Sequence, residues 1–247
     1  MKIGVFDSGI GGLTVVKSLL EHQLFEEIIY YGDTARVPYG IKDKNTIIRY
    51  GLEAVEFFKN FDLDLIIIAC NTVSAYALDE MRELSKCPIY GVVEAGAIAT
   101  ANSVKNKDSN ILVLGTKATI KSQAYEVQLH RLGFTSLQTK ATGLFVPLVE
   151  EEIFNGAILD EVFEHYFQTL KKPDAIILGC THFPLIWDAL QNYFGKDTKL
   201  IHSGDAIVEY LENEFTFTTK FKNPRVKFFA SENPDALKSI AKKWLYK

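Results

Sequence analysis

Three cysteines in 247 residues, none of them in a C-x-x-C pair, argue against a disulfide framework. No apolar run approaches the roughly 20 residues that cross a bilayer, so no membrane partner is expected. A long basic stretch is also missing and the net charge is −4, which argues against nucleic acid as the main partner. A strand-like run begins at Lys2 and leaves no room for a charged and apolar leader, so a cytoplasmic location is the expectation. What is present is ordinary for a globular protein: 47% apolar and 23% charged residues. The length suits one large α/β domain or two of ordinary size.

The most informative feature is a segment that occurs twice. Residues 64–72 read Asp-Leu-Ile-Ile-Ile-Ala-Cys-Asn-Thr, and residues 174–182 read Asp-Ala-Ile-Ile-Leu-Gly-Cys-Thr-His. In both, an Asp opens a short Ile-rich run that ends at a cysteine, Cys70 or Cys180. Such runs read as strands buried on both faces of a parallel sheet. Each cysteine then lies at a strand's carboxyl end, where open α/β sheets place their ligand crevices. Two thiols presented alike suggest a small molecule held between paired sulfurs.

Strand-like stretches at 2–6, 27–31, 64–69, 88–93, 110–114, 136–141, 174–178, 199–201 and 225–230 alternate with helical patterns. The helices are expected at about 13–22, 44–59, 74–86, 95–105, 118–132, 158–171, 184–194, 204–214 and 234–246. This alternation predicts an α/β fold of two similar lobes, each a mainly parallel sheet flanked by helices. A new series begins after Gly96, so residues 95–205 are expected to form the second lobe, carrying Cys180. Segment 216–224 reads as an exposed loop.

A lone cysteine with apolar neighbours is most often a small buried hydrophobe, and Cys87 keeps that reading. The matched context of Cys70 and Cys180 points instead to chemistry. At a strand-to-helix junction a thiol faces backbone N–H groups and the positive end of the helix dipole. That setting is expected to lower its pKa from about 8.5 by a unit or more. Asn71 with Thr72, and Thr181 with His182, add donors and acceptors suited to carboxylates. The first strand runs into Asp7-Ser8-Gly9-Ile10-Gly11-Gly12, which lacks the pattern of a phosphate loop or dinucleotide turn and reads as a tight turn needing positive φ. Asp7 is nonetheless well placed in a crevice. Further turns are expected at Pro38-Tyr39-Gly40, at 115–119 and at 147–150.

Taken together, the Asp7–Gly12 turn, Pro38-Tyr39-Gly40, Ala69-Cys70-Asn71-Thr72 and the run from Gly179 to Pro184 resemble the glutamate racemase family. The resemblance runs from residue 2 to the C-terminal helix. It implies cofactor-independent interconversion of L- and D-glutamate, supplying D-glutamate for bacterial peptidoglycan. It also implies pseudo-twofold lobes with the substrate between them, a homodimer, and a tail that joins 206–247 to 1–94 as the first lobe. On this resemblance Cys70 and Cys180 exchange the roles of thiolate and thiol. Asp7 assists Cys70, and His182, placed by Glu150, assists Cys180. Ser8, Tyr39, Gly40, Asn71, Thr72, Thr116, Thr119 and Thr181, with Asp7 and His182, bind the substrate. Val73 and Ala95 depart from the family pattern, away from the chemistry.

Other readings remain open at this stage. Aspartate would suit the same two-thiol mechanism in a shorter pocket. A metal or redox site on Cys70, Cys180 and His182 lacks the usual closely spaced ligand pairs. A non-catalytic two-lobed binding protein would share the cleft. A pyridoxal-dependent racemase would need a lysine, for which Lys117 is the nearest candidate.

Overall fold

The duplicated Ile-rich runs become inner strands of two separate sheets. The computed structural model describes residues 1–245, so the expected end of the last helix at 246 lies outside the described residues. Among the described residues the strands are β1 (Lys2–Asp7), β2 (Glu27–Gly32), β3 (Leu65–Ile68), β4 (Ile89–Gly91), β5 (Ile111–Gly115), β6 (Leu137–Ala141), β7 (Ala175–Gly179), β8 (Lys199–Ile201) and β9 (Arg225–Ala230). One sheet runs β4-β3-β1-β2-β9 and the other β6-β5-β7-β8, and every pairing is parallel. Read from its other edge, the second sheet is β8-β7-β5-β6, which matches β4-β3-β1-β2. The two cysteine strands therefore occupy the same place, each beside the first strand of its lobe.

The Asp that opens each repeat has a structural task. Asp64 accepts the Lys2 N–H at 2.6 Å, and Asp174 accepts the Asn110 N–H at 2.7 Å. Each thereby ties its cysteine strand to the start of the neighbouring central strand. A one-residue slip in a strand would move its side chains to the opposite face, so this clamp defends the register. All residues of β3 and β7 are buried, as expected of strands covered on both faces. Each such Ile or Leu contributes roughly 1.5–3 kcal/mol by its removal from water.

Helices cover both faces: α1 (Leu13–His22), α2 (Lys44–Phe58), α3 (Asn71–Tyr76), α4 (Leu78–Leu84), α5 (Val92–Ser103), α6 (Lys117–Ser122), α7 (Ala124–Arg131), α8 (Phe145–Glu150), α9 (Ala157–Phe167), α10 (Trp187–Phe194), α11 (Ser203–Glu214) and α12 (Pro234–Leu245). The largest apolar cluster spans the two sheets, joining Ile3, Ile67, Val113 and Ile177 to residues of α1, α5 and α11. Smaller clusters back the outer face of each sheet. No helix among the described residues is long and apolar enough to cross a membrane.

Several elements depart from the pattern read in the sequence. The helix expected over 118–132 breaks at Gln123, which is left-handed with φ 57°. The helix expected over 74–86 breaks at Ala77, whose φ is −120°. Residues 147–150, expected as a turn, belong to α8. Pro147 is tolerated there because it falls in the first turn, where its missing N–H would have no helical partner.

Candidate active site

Strand ends from both sheets converge on one narrow cavity of about 40 Å³. Its lining comprises Ser8, Val37, Pro38, Tyr39, Gly40, Cys70, Asn71, Thr72, Thr116, Val146, Glu150, Cys180, Thr181 and His182. Cys70 follows β3 and caps α3, while Cys180 directly follows β7 and precedes a 3₁₀ turn at Phe183–Ile186. Both thiols are nearly closed off from solvent, at 5% and 7% exposure. Asp7 and Thr119 lie behind the wall and are fully buried. Lys117 lies outside this cavity, on an apolar vestibule of about 580 Å³ that also holds Ile41 and Leu144.

The two thiols meet different neighbours. Cys180 Sγ lies 3.8 Å from His182 Nδ1, and His182 Nε2 lies 3.1 Å from Glu150 Oε1. Burial opposes a charge on His182, but its hydrogen bonds to Cys180 and Glu150 outweigh that and raise the imidazole to about 10. A protonated imidazole is thus held against one sulfur. Cys70 Sγ meets the Ser8 hydroxyl at 3.5 Å and the Val73 N–H at the start of α3. Burial, then the Asp7 carboxylate, pushes the Cys70 thiol up to about 12. This reverses the sequence expectation for Cys70, because loss of water outweighs the helix N-terminus. Asp7 itself is raised by burial, opposed by His182 and by the N–H groups of Gly9 and Gly12.

Contacts between the lobes close the cavity. Thr72 lies 3.0 Å from both Thr116 and Thr119, and these two are 3.0 Å apart, forming a ring of three hydroxyls across the cleft. Thr181 donates to Asp7 at 3.3 Å, and Thr14 donates to the Thr181 carbonyl at 2.8 Å. The glycines of the first turn serve this closeness. A Cβ on Gly11 would fall 2.3 Å from Thr181 Oγ1 and 2.5 Å from His182 Nδ1. None of Gly9, Gly11 and Gly12 has positive φ, so close approach replaces the backbone reason expected from sequence.

One expected ligand group is already engaged. Asn71 belongs to the cavity lining, but its amide accepts from Tyr125 and donates to Ser203, neither of which lines the cavity. Sequence reading also missed Asp33, which is fully buried just past β2. It accepts from Arg36 Nε at 2.6 Å and from the Tyr39 hydroxyl, anchoring the loop that carries Tyr39 and Gly40. An Asp followed by an Arg three residues on is too common a pairing to have marked it. Among the described residues, no group of three or more His, Cys, Asp or Glu is arranged to hold a metal ion.

The sequence matches the Asp/Glu/Hydantoin racemase family model over residues 11–211. A glutamate racemase of a Nitratiruptor species is 60% identical over 245 residues, covering 99% of this chain and 96% of the relative. The solved glutamate racemase of Campylobacter jejuni subsp. jejuni superposes with a TM-score of 0.98 at 56% identity, covering 100% of this chain and 98% of that one. The glutamate racemase of Francisella tularensis subsp. tularensis, solved with D-glutamate, gives a TM-score of 0.87 at 37% identity, with 100% and 94% covered.

Proposed function

Because this chain belongs to the Asp/Glu/Hydantoin racemase family, among its glutamate racemases, we propose that it inverts glutamate with two opposed thiols and no cofactor. The observation that carries this reading is that Cys70 and Cys180, from matching strands of two sheets, line the same cavity. Inversion at the α-carbon requires a proton to leave one face and another to arrive on the opposite face. A single base tends to return the proton to its own side. Two bases on opposite walls remove that bias.

In the proposed cycle one sulfur is a thiolate and the other a thiol. The thiolate takes the α-proton, the carbanion flattens, and the opposite thiol delivers its proton to the other face. Net charge is unchanged, and the pair is left with its roles exchanged. His182, oriented by Glu150, stabilises the Cys180 thiolate, and Ser8 and Asp7 serve Cys70. The hydroxyls of Ser8, Thr72, Thr116 and Thr181, with the Tyr39–Gly40 backbone, supply donors for the substrate's carboxylates, with Thr119 supporting Thr72 and Thr116.

The resemblance further carries D-glutamate supply for peptidoglycan, a cytoplasmic location and a homodimer. It also groups 1–94 with 206–247 as one lobe and 95–205 as the other; the pairing of β9 with β2 supports that grouping. Circular dichroism of L-glutamate and of L-aspartate, each with purified protein and no added cofactor, tests the activity and the substrate. Decay of the glutamate signal to zero is expected, with Cys70→Ala and Cys180→Ala each at least about 1,000-fold slower. Inversion of aspartate alone would overturn the substrate, and near-normal turnover by either variant would overturn the mechanism.

A further inference from the structure

Behind the cavity wall a buried polar chain joins the residues that flank the two thiols. Tyr125, on α7, is 1% exposed and donates its hydroxyl to Asn71 Oδ1 at 2.7 Å. Asn71 directly follows Cys70. The ring of the same tyrosine is seated between two glycine backbones: a Cβ on Gly179 would lie 3.2 Å from it, and one on Gly96 also 3.2 Å. Gly179 directly precedes Cys180. One side chain therefore touches the chain next to both sulfurs.

A second link closes the circuit. Asn71 Nδ2 donates to Ser203 Oγ at 3.3 Å, and Ser203, 3% exposed at the start of α11, donates to the Leu178 carbonyl at 3.1 Å. Leu178 lies on β7, two residues before Cys180. Neither Tyr125 nor Ser203 lines the cavity, so neither meets the substrate. A buried hydrogen-bonded chain is rigid because a member that lost its partner would have no water to replace it.

From this geometry we infer that Tyr125 and Ser203 are positioning residues, which fix how far apart and how directly opposed Cys70 and Cys180 stand. The inference rests on the two-thiol reading. Its consequence is selective: inversion needs both sulfurs in line, whereas a reaction needing only one base does not. Elimination of HCl from 3-chloroglutamate is such a reaction. One thiolate removes the α-proton, the electron pair forms the Cα–Cβ double bond, and chloride leaves with no acid opposite.

The test compares glutamate inversion with chloroglutamate elimination in Tyr125→Phe, which keeps the ring, and independently in Ser203→Ala. The ratio of inversion to elimination is expected to fall at least tenfold in each, and Ser203→Thr, which keeps a hydroxyl, should restore it. A ratio within threefold of wild type in both, whether the two rates hold or fall together, overturns the inference. Failure of the two-thiol reading is distinguishable, since Cys70→Ala would then still invert glutamate.

Discussion

At the scale of single residues, the two sulfurs share a position in the fold but not an environment. Cys180 has a protonatable imidazole at 3.8 Å, and Cys70 has a hydroxyl at 3.5 Å with a buried carboxylate near it. A thiol pushed up to about 12 is ionised to only about 1 part in 10⁴ at pH 8, and its thiolate fraction rises tenfold per pH unit below that value. Alkylation by iodoacetamide, mapped by mass spectrometry, is therefore expected to strike Cys180 first near neutral pH. Cys70 labelling should climb steeply as pH rises towards 12. Faster labelling of Cys70 at pH 7 would contradict this assignment of environments. Both sulfurs were legible in the sequence because the repeat set them at equal distances from an Asp. Their unequal surroundings were not, because Ser8 lies 62 residues from Cys70, and Glu150 reaches Cys180 only by way of His182, 32 residues from it.

At the scale of elements, the two cysteine strands were readable because burial on both faces favours an unbroken run of Ile, Leu and small apolar residues. Interruptions within helices were not, since nothing in composition marks Gln123 as left-handed or Ala77 as non-helical. The turn from β1 into α1 was read correctly as glycine-rich but for the wrong reason. Its glycines let the start of α1 meet the turn after β7 without intervening side chains. Gly11→Ala places a carbon 2.3 Å from Thr181 Oγ1 and 2.5 Å from His182 Nδ1, nearer than real Cβ contacts allow. The turn must shift, carrying His182 away from Cys180, and displacements near 1 Å cost about 100-fold in rate. Gly11→Ala is thus expected to lose about two orders of magnitude in turnover while keeping its far-UV circular dichroism. Unchanged turnover in that variant would show that the contact has no bearing on the site.

At the scale of the whole molecule, two sheets with corresponding strand orders meet end to end over a cavity that neither could enclose alone. The pairing of β9 with β2 and the packing of α11 against α1 and α5 return the chain to where it began. That long-range closure was anticipated from family resemblance rather than from any pattern of residues. In the proposed inversion a proton leaves glutamate on one side and a different proton enters from the other. Mass analysis of the separated enantiomers, after brief reaction of L-glutamate in deuterated water, measures this directly. Two opposed thiols should give D-glutamate carrying deuterium at the α-carbon while the remaining L-glutamate keeps protium; D-glutamate that retains its original proton would mean that one group alone moves it.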